Sequence, residues 1–85
     1  MDPAQARVTI GVPVYNGERF LQQCLDSLLA QTYRDFVLVI SDNASTDRTR
    51  EICEAYVKAD PRVRYHRNPV NLGMYGNFNR VLELV

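Results

Sequence analysis

The sequence predicts an α/β fold in which three parallel strands form a sheet in the order 3-2-1, with helices flanking it. Strand-like apolar segments alternate three times with segments of helical periodicity, and the connections between them are short. Such connections favour right-handed crossovers between parallel strands. The second strand segment is apolar throughout, whereas the first and third alternate with polar or small residues, so the second strand belongs in the middle.

The first strand is predicted over 7–14, where valine and isoleucine alternate with smaller residues. Residues 1–6 before it are expected to be a disordered lead-in. Pro13 lies at the end of the strand, where a missing backbone donor does least harm. A helix is predicted to open at Glu18. Its apolar stripe is expected to contain Phe20, Leu21, Cys24, Leu25, Leu28 and Leu29.

The second strand is predicted over 36–41, and its unbroken apolar run is typical of a strand covered on both faces. A polar loop with several helix N-cap candidates follows it. The second helix is predicted over 47–59, because Asp60-Pro61 is a turn and helix-stop signal. Its inward face is expected to carry Ile52, Cys53 and Tyr56.

The third strand is predicted over 62–67. One face of this strand would be charged and exposed to solvent, which is typical of a strand at the edge of a sheet. Its arginines at 62, 64 and 67 either form a solvated face or reach an anionic ligand. After a loop ending near Gly73, the last helix is expected to turn one apolar face inward. That face comprises Phe78, Val81, Leu82 and Val85.

The predicted strand order leaves the outer edge of the first strand without a partner. Unpaired strand edges template association with other chains, so something is expected to cover this edge. Either a fourth strand of a longer protein lies there, or a second copy of the chain pairs with it. The second alternative predicts a homo-oligomer.

The composition excludes several classes of protein. Lys and Arg total ten, as do Asp and Glu, so the formal net charge is zero, which argues against a nucleic-acid partner. No apolar run approaches the roughly 20 residues of a membrane span. Cys24 and Cys53 are both predicted to be buried thiols in a reducing compartment, which indicates a cytoplasmic location.

Candidate binding residues lie in the three loops that follow the strands, at 13–17, 42–47 and 68–73. In open parallel sheets, ligands bind outside the carboxyl ends of the strands. Tyr15 offers a ring for stacking on a base, and Asp42 a carboxylate for a ribose hydroxyl or a pyrimidine N–H. The same residue types also form turns, so a packed loop aromatic and a loop-capping carboxylate are the alternatives.

Four segments, in the same order along the chain, resemble signatures of family 2 glycosyltransferases. Residues 8–18 read V-T-I-G-V-P-V-Y-N-G-E, similar to the family's V-S-V-I-I-P-T-Y-N. Residues 27–33 read S-L-L-A-Q-T-Y, similar to S-L-L-x-Q-T-Y, and residues 41–47 read S-D-N-A-S-T-D, similar to V-D-D-G-S-T-D. Residues 64–79 resemble the family's third strand and its N-x-G turn into a helix.

The resemblance implies that residues 7–85 are the nucleotide-sugar-binding half of a GT-A domain, a Rossmann-like fold. By this analogy the base and ribose are contacted by Pro13, Val14, Tyr15, Asp42 and Asn43, with Asn16 and Glu18 near the mouth of the first loop. The sequence departs from the family at two positions. Asn43 replaces the second carboxylate of D-D, and Phe78 stands where many relatives have an arginine.

The resemblance also implies a glycosyltransferase that uses a nucleotide-sugar, with a UDP-sugar favoured, and Mg²⁺ or Mn²⁺. The family holds this metal with a D-x-D motif on a fourth strand, and a later Asp or Glu acts as base. Neither is expected within this chain, so the 85 residues are predicted to be inactive alone. The rival hypotheses are another Rossmann-like nucleotide-binding protein, disfavoured by the lack of a glycine-rich first turn, and a non-catalytic α/β interaction module.

Overall fold

The computed structural model describes residues 8–85, so the predicted lead-in and Arg7 lie outside the described residues. The elements follow in the order β1 Val8–Val14, α1 Leu21–Leu29, β2 Phe36–Asp42, α2 Thr49–Ala59, β3 Val63–Arg67 and α3 Gly73–Leu84. Their types and order are those predicted. The first two helices begin later than expected, because turn residues precede them. Asp47 stays outside α2, where its carboxylate accepts the Thr49 N–H at 2.9 Å.

The three strands form one parallel sheet in the order β1-β2-β3, which is the predicted order viewed from its other edge. The register aligns Val14, Asp42 and Arg67 across the carboxyl ends of the strands. β2 is buried along its whole length, as its apolar run predicts. This register brings the three following loops to one edge of the sheet.

The two faces of the sheet are covered by different helices. Both crossovers, β1 to β2 and β2 to β3, run in the same direction across the sheet, so right-handed connections place α1 and α2 on one face. There the strand residues at alternate positions form the core with Leu21, Leu25 and Cys53. The other face is partly covered by α3, which contacts β1 and β2. The side chains of Ser41 and Asn77 meet on that face.

The predicted stripe of α1 is wrong at two positions. Leu21 and Leu25 are buried, but Phe20 and Cys24 are exposed. Leu21 and Leu25, one turn apart, define the side of α1 that faces the core. Phe20 and Cys24 each lie one position before a leucine, to one side of this face, and the core does not extend to them. Cys53 is buried as predicted, and burial raises the pKa of its thiol to about 12. Ile52 and Tyr56 are partly buried against the same core, which confirms the inward face of α2.

The predicted inward face of α3 is also largely wrong, because only Val81 of its four apolar residues is buried. The helix instead turns Asn77 and Val81 toward the sheet. Ser41 Oγ donates to Asn77 Oδ1 at 2.7 Å, and Asn77 Nδ2 donates to the Ser41 carbonyl at 3.1 Å. Gly11 leaves room for this approach, since a Cβ there would clash with Val81. Hydrogen bonding and a glycine therefore set the rotation of α3.

The three arginines at the third strand do not share one environment. Arg62 is buried, lies 4.5 Å from the centre of the Phe36 ring and forms an ion pair with Asp60 at 2.8 Å. Arg67 pairs with Asp42 at 3.2 Å, and Arg64 is exposed. The sequence allowed two interpretations of these arginines, a solvated strand face or a site for an anionic ligand. Neither interpretation fits all three residues. Two of the arginines are part of the internal polar structure.

Candidate functional site

The loops after β1, β2 and β3 are joined to one another at the carboxyl ends of the strands. The Asn43 N–H donates to the Val14 carbonyl at 2.9 Å, and the Asn68 N–H donates to the Asp42 carbonyl at 2.8 Å. These two hydrogen bonds extend the strand pairing by one residue into the loops. The three loops therefore form one continuous surface.

The first loop is held by side chains of the second loop and of Thr49, the first residue of α2. The backbone N–H groups of Asn16, Gly17 and Glu18 donate in turn to Ser45 Oγ at 2.9 Å, Thr49 Oγ1 at 2.9 Å and Asp47 Oδ2 at 3.2 Å. Asn16 has a φ of 49°, a left-handed conformation that asparagine tolerates. Because all three N–H groups are engaged, they do not offer a free anion-binding cradle.

Asp47 contributes to this link with a carboxylate that stays charged. Partial burial acts to raise its pKa, but the hydrogen bonds donated by Thr49 and by the Glu18 N–H outweigh burial, so the pKa of Asp47 is lowered. The Asn16 side chain adds a second link, since its Oδ1 accepts the Thr46 N–H at 2.8 Å. Asn16 and Glu18 therefore shape the first loop.

Asp42 ends β2 with its carboxylate completely buried, at 0% exposure. Its Oδ1 accepts the Ser45 N–H at 3.0 Å and the Ser45 hydroxyl at 2.6 Å. Its Oδ2 accepts the Tyr65 hydroxyl at 2.5 Å and an Arg67 N–H at 3.2 Å. Burial and the hydrogen bond to Asp42 raise the pKa of Tyr65. All of these partners belong to this chain.

This arrangement differs from the expectation that Asp42 presents a free carboxylate to a nucleoside. In the register of β2, Asp42 points to the face that carries α1 and α2, beside Tyr65 and Arg67. Its four hydrogen bonds occupy both oxygens. The physical reason is alternation along the strand, which turns successive side chains to opposite faces. Asp42 is thus a loop-positioning residue in this structure.

Asn43, the next residue, points to the α3 face, and its side-chain amide both donates and accepts two hydrogen bonds. Its Nδ2 donates to Asn71 Oδ1 at 2.9 Å and to the Gly73 carbonyl at 3.1 Å. Its Oδ1 accepts the Leu72 N–H at 2.8 Å and Asn68 Nδ2 at 3.1 Å. The backbone donor at Leu72 and the backbone acceptor at Gly73 fix which atom is oxygen and which is nitrogen. An amide, which both donates and accepts, is required here.

Asn68 and Asn77 continue this network below the loop surface. Asn68 Nδ2 also donates to Asn77 Oδ1 at 3.1 Å, and both residues are buried. Within residues 8–85, Asn68 Oδ1 is buried without a hydrogen-bond partner. The amides of Asn43, Asn68 and Asn77 thus connect the end of β2, the third loop and α3.

A groove of about 550 Å³ opens above this amide network. Two aromatic residues line it, Tyr15 and Phe78, which are 50% and 55% exposed. Its lining consists of Pro13, Val14, Tyr15, Asn43, Asn71, Gly73, Met74, Asn77 and Phe78. This volume and the mixture of apolar walls with a few amides suit a small organic ligand.

Four of the seven residues predicted for the site line the groove, namely Pro13, Val14, Tyr15 and Asn43. The other three, Asn16, Glu18 and Asp42, support its loops from outside. The third loop, 68–73, was a candidate from the sequence, but its lining residues Asn71 and Gly73 were not singled out. Met74 and Asn77 of α3 were not predicted, and Phe78 was noted only as a departure from the family's arginine. The polar third loop and the unusual residue at 78 were the available signals.

A second cavity of about 500 Å³ lies on the α3 side of the sheet, lined in part by Thr9, Val37 and Val39. These residues belong to the starts and middles of the strands, away from the loops. The groove lies at the carboxyl ends, where open parallel sheets bind ligands, and is therefore the better candidate site.

Within residues 8–85, no helix combines the length and the hydropathy that crossing a membrane requires. The same part of the chain brings no three His, Cys, Asp or Glu side chains together in a way that could hold a metal ion. The residues that form the groove therefore do not fit a divalent cation.

Comparison with known proteins gives consistent matches. A family model described as glycosyl transferase family 2 matches residues 9–85. Glycosyltransferase GlyA of Streptococcus pneumoniae is 42% identical over 59 residues, covering 69% of this chain and 8% of that protein. The mannosyltransferase PcManGT of Pyrobaculum calidifontis, solved with GDP-Man and Mn²⁺, is 27% identical, with a TM-score of 0.83 over 99% of this chain and 26% of that chain. Staphylococcus aureus TarS is 30% identical, with a TM-score of 0.81 over 92% of this chain and 24% of that chain.

Proposed function

Since the chain belongs to glycosyl transferase family 2, with the fold of the Rossmann-like half of a GT-A domain, we propose that residues 8–85 bind the nucleotide of a nucleotide-sugar donor. The longer enzyme would transfer the sugar to an acceptor. The observation that carries this proposal is the groove at the carboxyl ends of the strands, where Tyr15 and Asn43 lie together.

The groove suits the nucleoside end of such a donor. Tyr15 is half-exposed and presents a ring on which a base can stack, while Pro13 and Val14 add apolar surface. The loops are held rigid by internal hydrogen bonds, so little conformational entropy would be lost on binding. The structural neighbour PcManGT was solved with GDP-Man, which supports a nucleotide-sugar as ligand. We propose a UDP-sugar as the donor, following the family resemblance.

The transfer reaction itself is proposed to need residues beyond those described. Among the residues lining the groove there is no Asp, Glu or His that could accept a proton from an acceptor hydroxyl. The chain spans 8% of GlyA and about a quarter of PcManGT. We expect the 85-residue chain alone to transfer no sugar, and the Mg²⁺ or Mn²⁺ of the longer enzyme to be held by residues outside 8–85.

A titration with UDP followed by amide NMR tests the proposal. Signals of Tyr15, Asn43 and Asn71 should move together, with weak affinity. Tyr15→Ala should weaken the binding, whereas Tyr33→Ala, which removes an equally exposed aromatic outside the groove, should not. No shift at millimolar UDP would contradict the proposal, and shifts confined to β3 would favour the interaction module.

Two further features are part of the proposal. β1 is a terminal strand of the described sheet, so self-association through its outer edge would give a homo-oligomer, which light scattering at increasing concentration would detect. A concentration-independent monomer would contradict this. Both cysteines are unpaired, which suits a reducing compartment and supports a cytoplasmic location.

A further inference from the structure

We propose that Tyr15 and Phe78 form a two-sided aromatic clamp that holds the nucleobase by stacking, so that the groove accepts purine and pyrimidine nucleoside diphosphates alike. This inference rests on the proposed nucleotide-binding function and concerns how the base is selected. Tyr15 follows β1 and Phe78 lies in the second turn of α3, and both side chains line the same groove.

The polar side chains best suited to recognising a base are already engaged in hydrogen bonds within the chain. Among residues 8–85, no Asp or Glu side chain lines the groove. The carboxylate that ends β2, that of Asp42, is buried and accepts from four internal donors. The amide of Asn43 has both hydrogens and both acceptor positions engaged. Reading a base edge with either residue would require breaking hydrogen bonds that hold the loops.

One polar group at the groove, the side-chain NH₂ of Asn71, remains available to a ligand. Asn71 is exposed, and its Oδ1 accepts from Asn43 and from the Gly73 N–H at 2.7 Å. No hydrogen bond within residues 8–85 engages Asn71 Nδ2. A lone N–H donor can meet a ring nitrogen or carbonyl oxygen of any common base, so it does not distinguish among them.

The rings of Tyr15 and Phe78 are both exposed to solvent. Phe78 is 55% exposed although Val81, less than one turn away, is buried against the sheet. A base entering the groove between Phe78 and Tyr15 would cover apolar surface on both rings. Every base has a π-face, so stacking provides affinity without base selectivity. The clamp therefore predicts tolerance of the base.

The test measures dissociation constants of UDP, CDP, GDP and ADP by NMR titration of the 85-residue chain. The four values should differ by only a few-fold, and Phe78→Ala should weaken all of them by roughly 5- to 100-fold. Phe78→Tyr, which keeps a ring, should bind like the wild type. Leu82→Ala is the matched control, since Leu82 is a similarly exposed apolar residue on the same helix but lies outside the groove.

The outcomes separate this inference from the proposed function. If the wild type binds UDP but rejects GDP and ADP, or if Phe78→Ala binds as tightly as Leu82→Ala, the aromatic clamp is contradicted but the proposed nucleotide binding is not. If the wild type binds none of the four diphosphates, the clamp and the proposed nucleotide binding are both contradicted. Amide spectra that overlay away from the groove confirm that each variant keeps its fold.

Discussion

Replacing Asn43 by aspartate is the sharpest test of the amide network. The substitution changes one NH₂ group into an oxygen at a position that is only 3% exposed. The new carboxylate oxygen would face Asn71 Oδ1, at 2.9 Å from the present nitrogen, and the Gly73 carbonyl, at 3.1 Å. Two hydrogen bonds become contacts between acceptors, whereas those from Leu72 and Asn68 remain.

The magnitude follows from these two contacts. Leaving a buried acceptor unsatisfied costs about 1–3 kcal/mol. Asn71 is exposed and can turn its amide so that its NH₂ group faces the carboxylate, which removes one of the two contacts but gives up the hydrogen bond that Asn71 Oδ1 accepts from the Gly73 N–H. The backbone carbonyl of Gly73 cannot turn in the same way. We therefore expect Asn43→Asp to lower the free energy of unfolding by about 2 to 4 kcal/mol at pH 7, including the cost of burying the charge.

The loss of stability caused by Asn43→Asp should depend on pH. Burial and two facing acceptors raise the pKa of the new carboxyl in the folded state above the ordinary aspartate value of about 3.9. An acid whose folded pKa is raised destabilises the fold increasingly as the pH rises above its unfolded pKa. The difference from the wild type should therefore be smaller at pH 4 than at pH 7. In its protonated form, the carboxyl can donate to the Gly73 carbonyl.

Urea denaturation followed by circular dichroism at both pH values measures this difference. Asn79→Asp is the control, because it makes the same charge change at an exposed position of α3 and should alter stability by less than about 0.5 kcal/mol. An Asn43→Asp variant as stable as Asn79→Asp at pH 7 would contradict the role of the two acceptors. A loss of stability that is the same at pH 4 and pH 7 would contradict it as well.

Two other predictions concern the packing of α3 and the buried ion pair. Gly11→Ala should lower the free energy of unfolding by about 1–3 kcal/mol, because the added methyl meets Val81; combining it with Val81→Ala should cost less than the sum of the two, and strict additivity in urea denaturation would contradict the contact. Asp60→Asn should cost about 2 kcal/mol at pH 7, because Arg62 is left buried without its carboxylate partner. The Arg62 hydrogen bond lowers the pKa of Asp60 below 3.8, so this pair stabilises the fold above that pH and is lost as the pH falls through the folded pKa. The gap between wild type and Asp60→Asn should therefore close below pH 4, and a constant gap would contradict it.

Much of the fold follows from local patterning. The apolar run at 36–40 predicts a central strand, and it lies buried between β1 and β3. Pattern alone was insufficient for α3, where four apolar residues at helical spacing predicted the wrong buried face. There the hydrogen bonds of Asn77 and the space left by Gly11 override the stripe, and both depend on residues far away in sequence.

The candidate site was predictable in its location but not in the roles of all its residues. Loops after parallel strands meet at one edge of a sheet, so Tyr15 and Asn43 could be expected there. Asp42 also lies at that edge, but its partners Tyr65 and Arg67 come from β3 and Ser45 from the following loop. Their convergence on one carboxylate depends on strand register.

The amino-acid sequence by itself determined the element types, the strand order and the end of the sheet at which a ligand would bind, because these follow from periodicity and chain connectivity. Only the tertiary structure decided which polar side chains are free. Asp42 and Asn43 are adjacent and both polar, yet they point to opposite faces and are each fully hydrogen-bonded by different partners. A hydrogen-bonding group has a fixed capacity, and whether neighbours distant in sequence have used it depends on their positions in space.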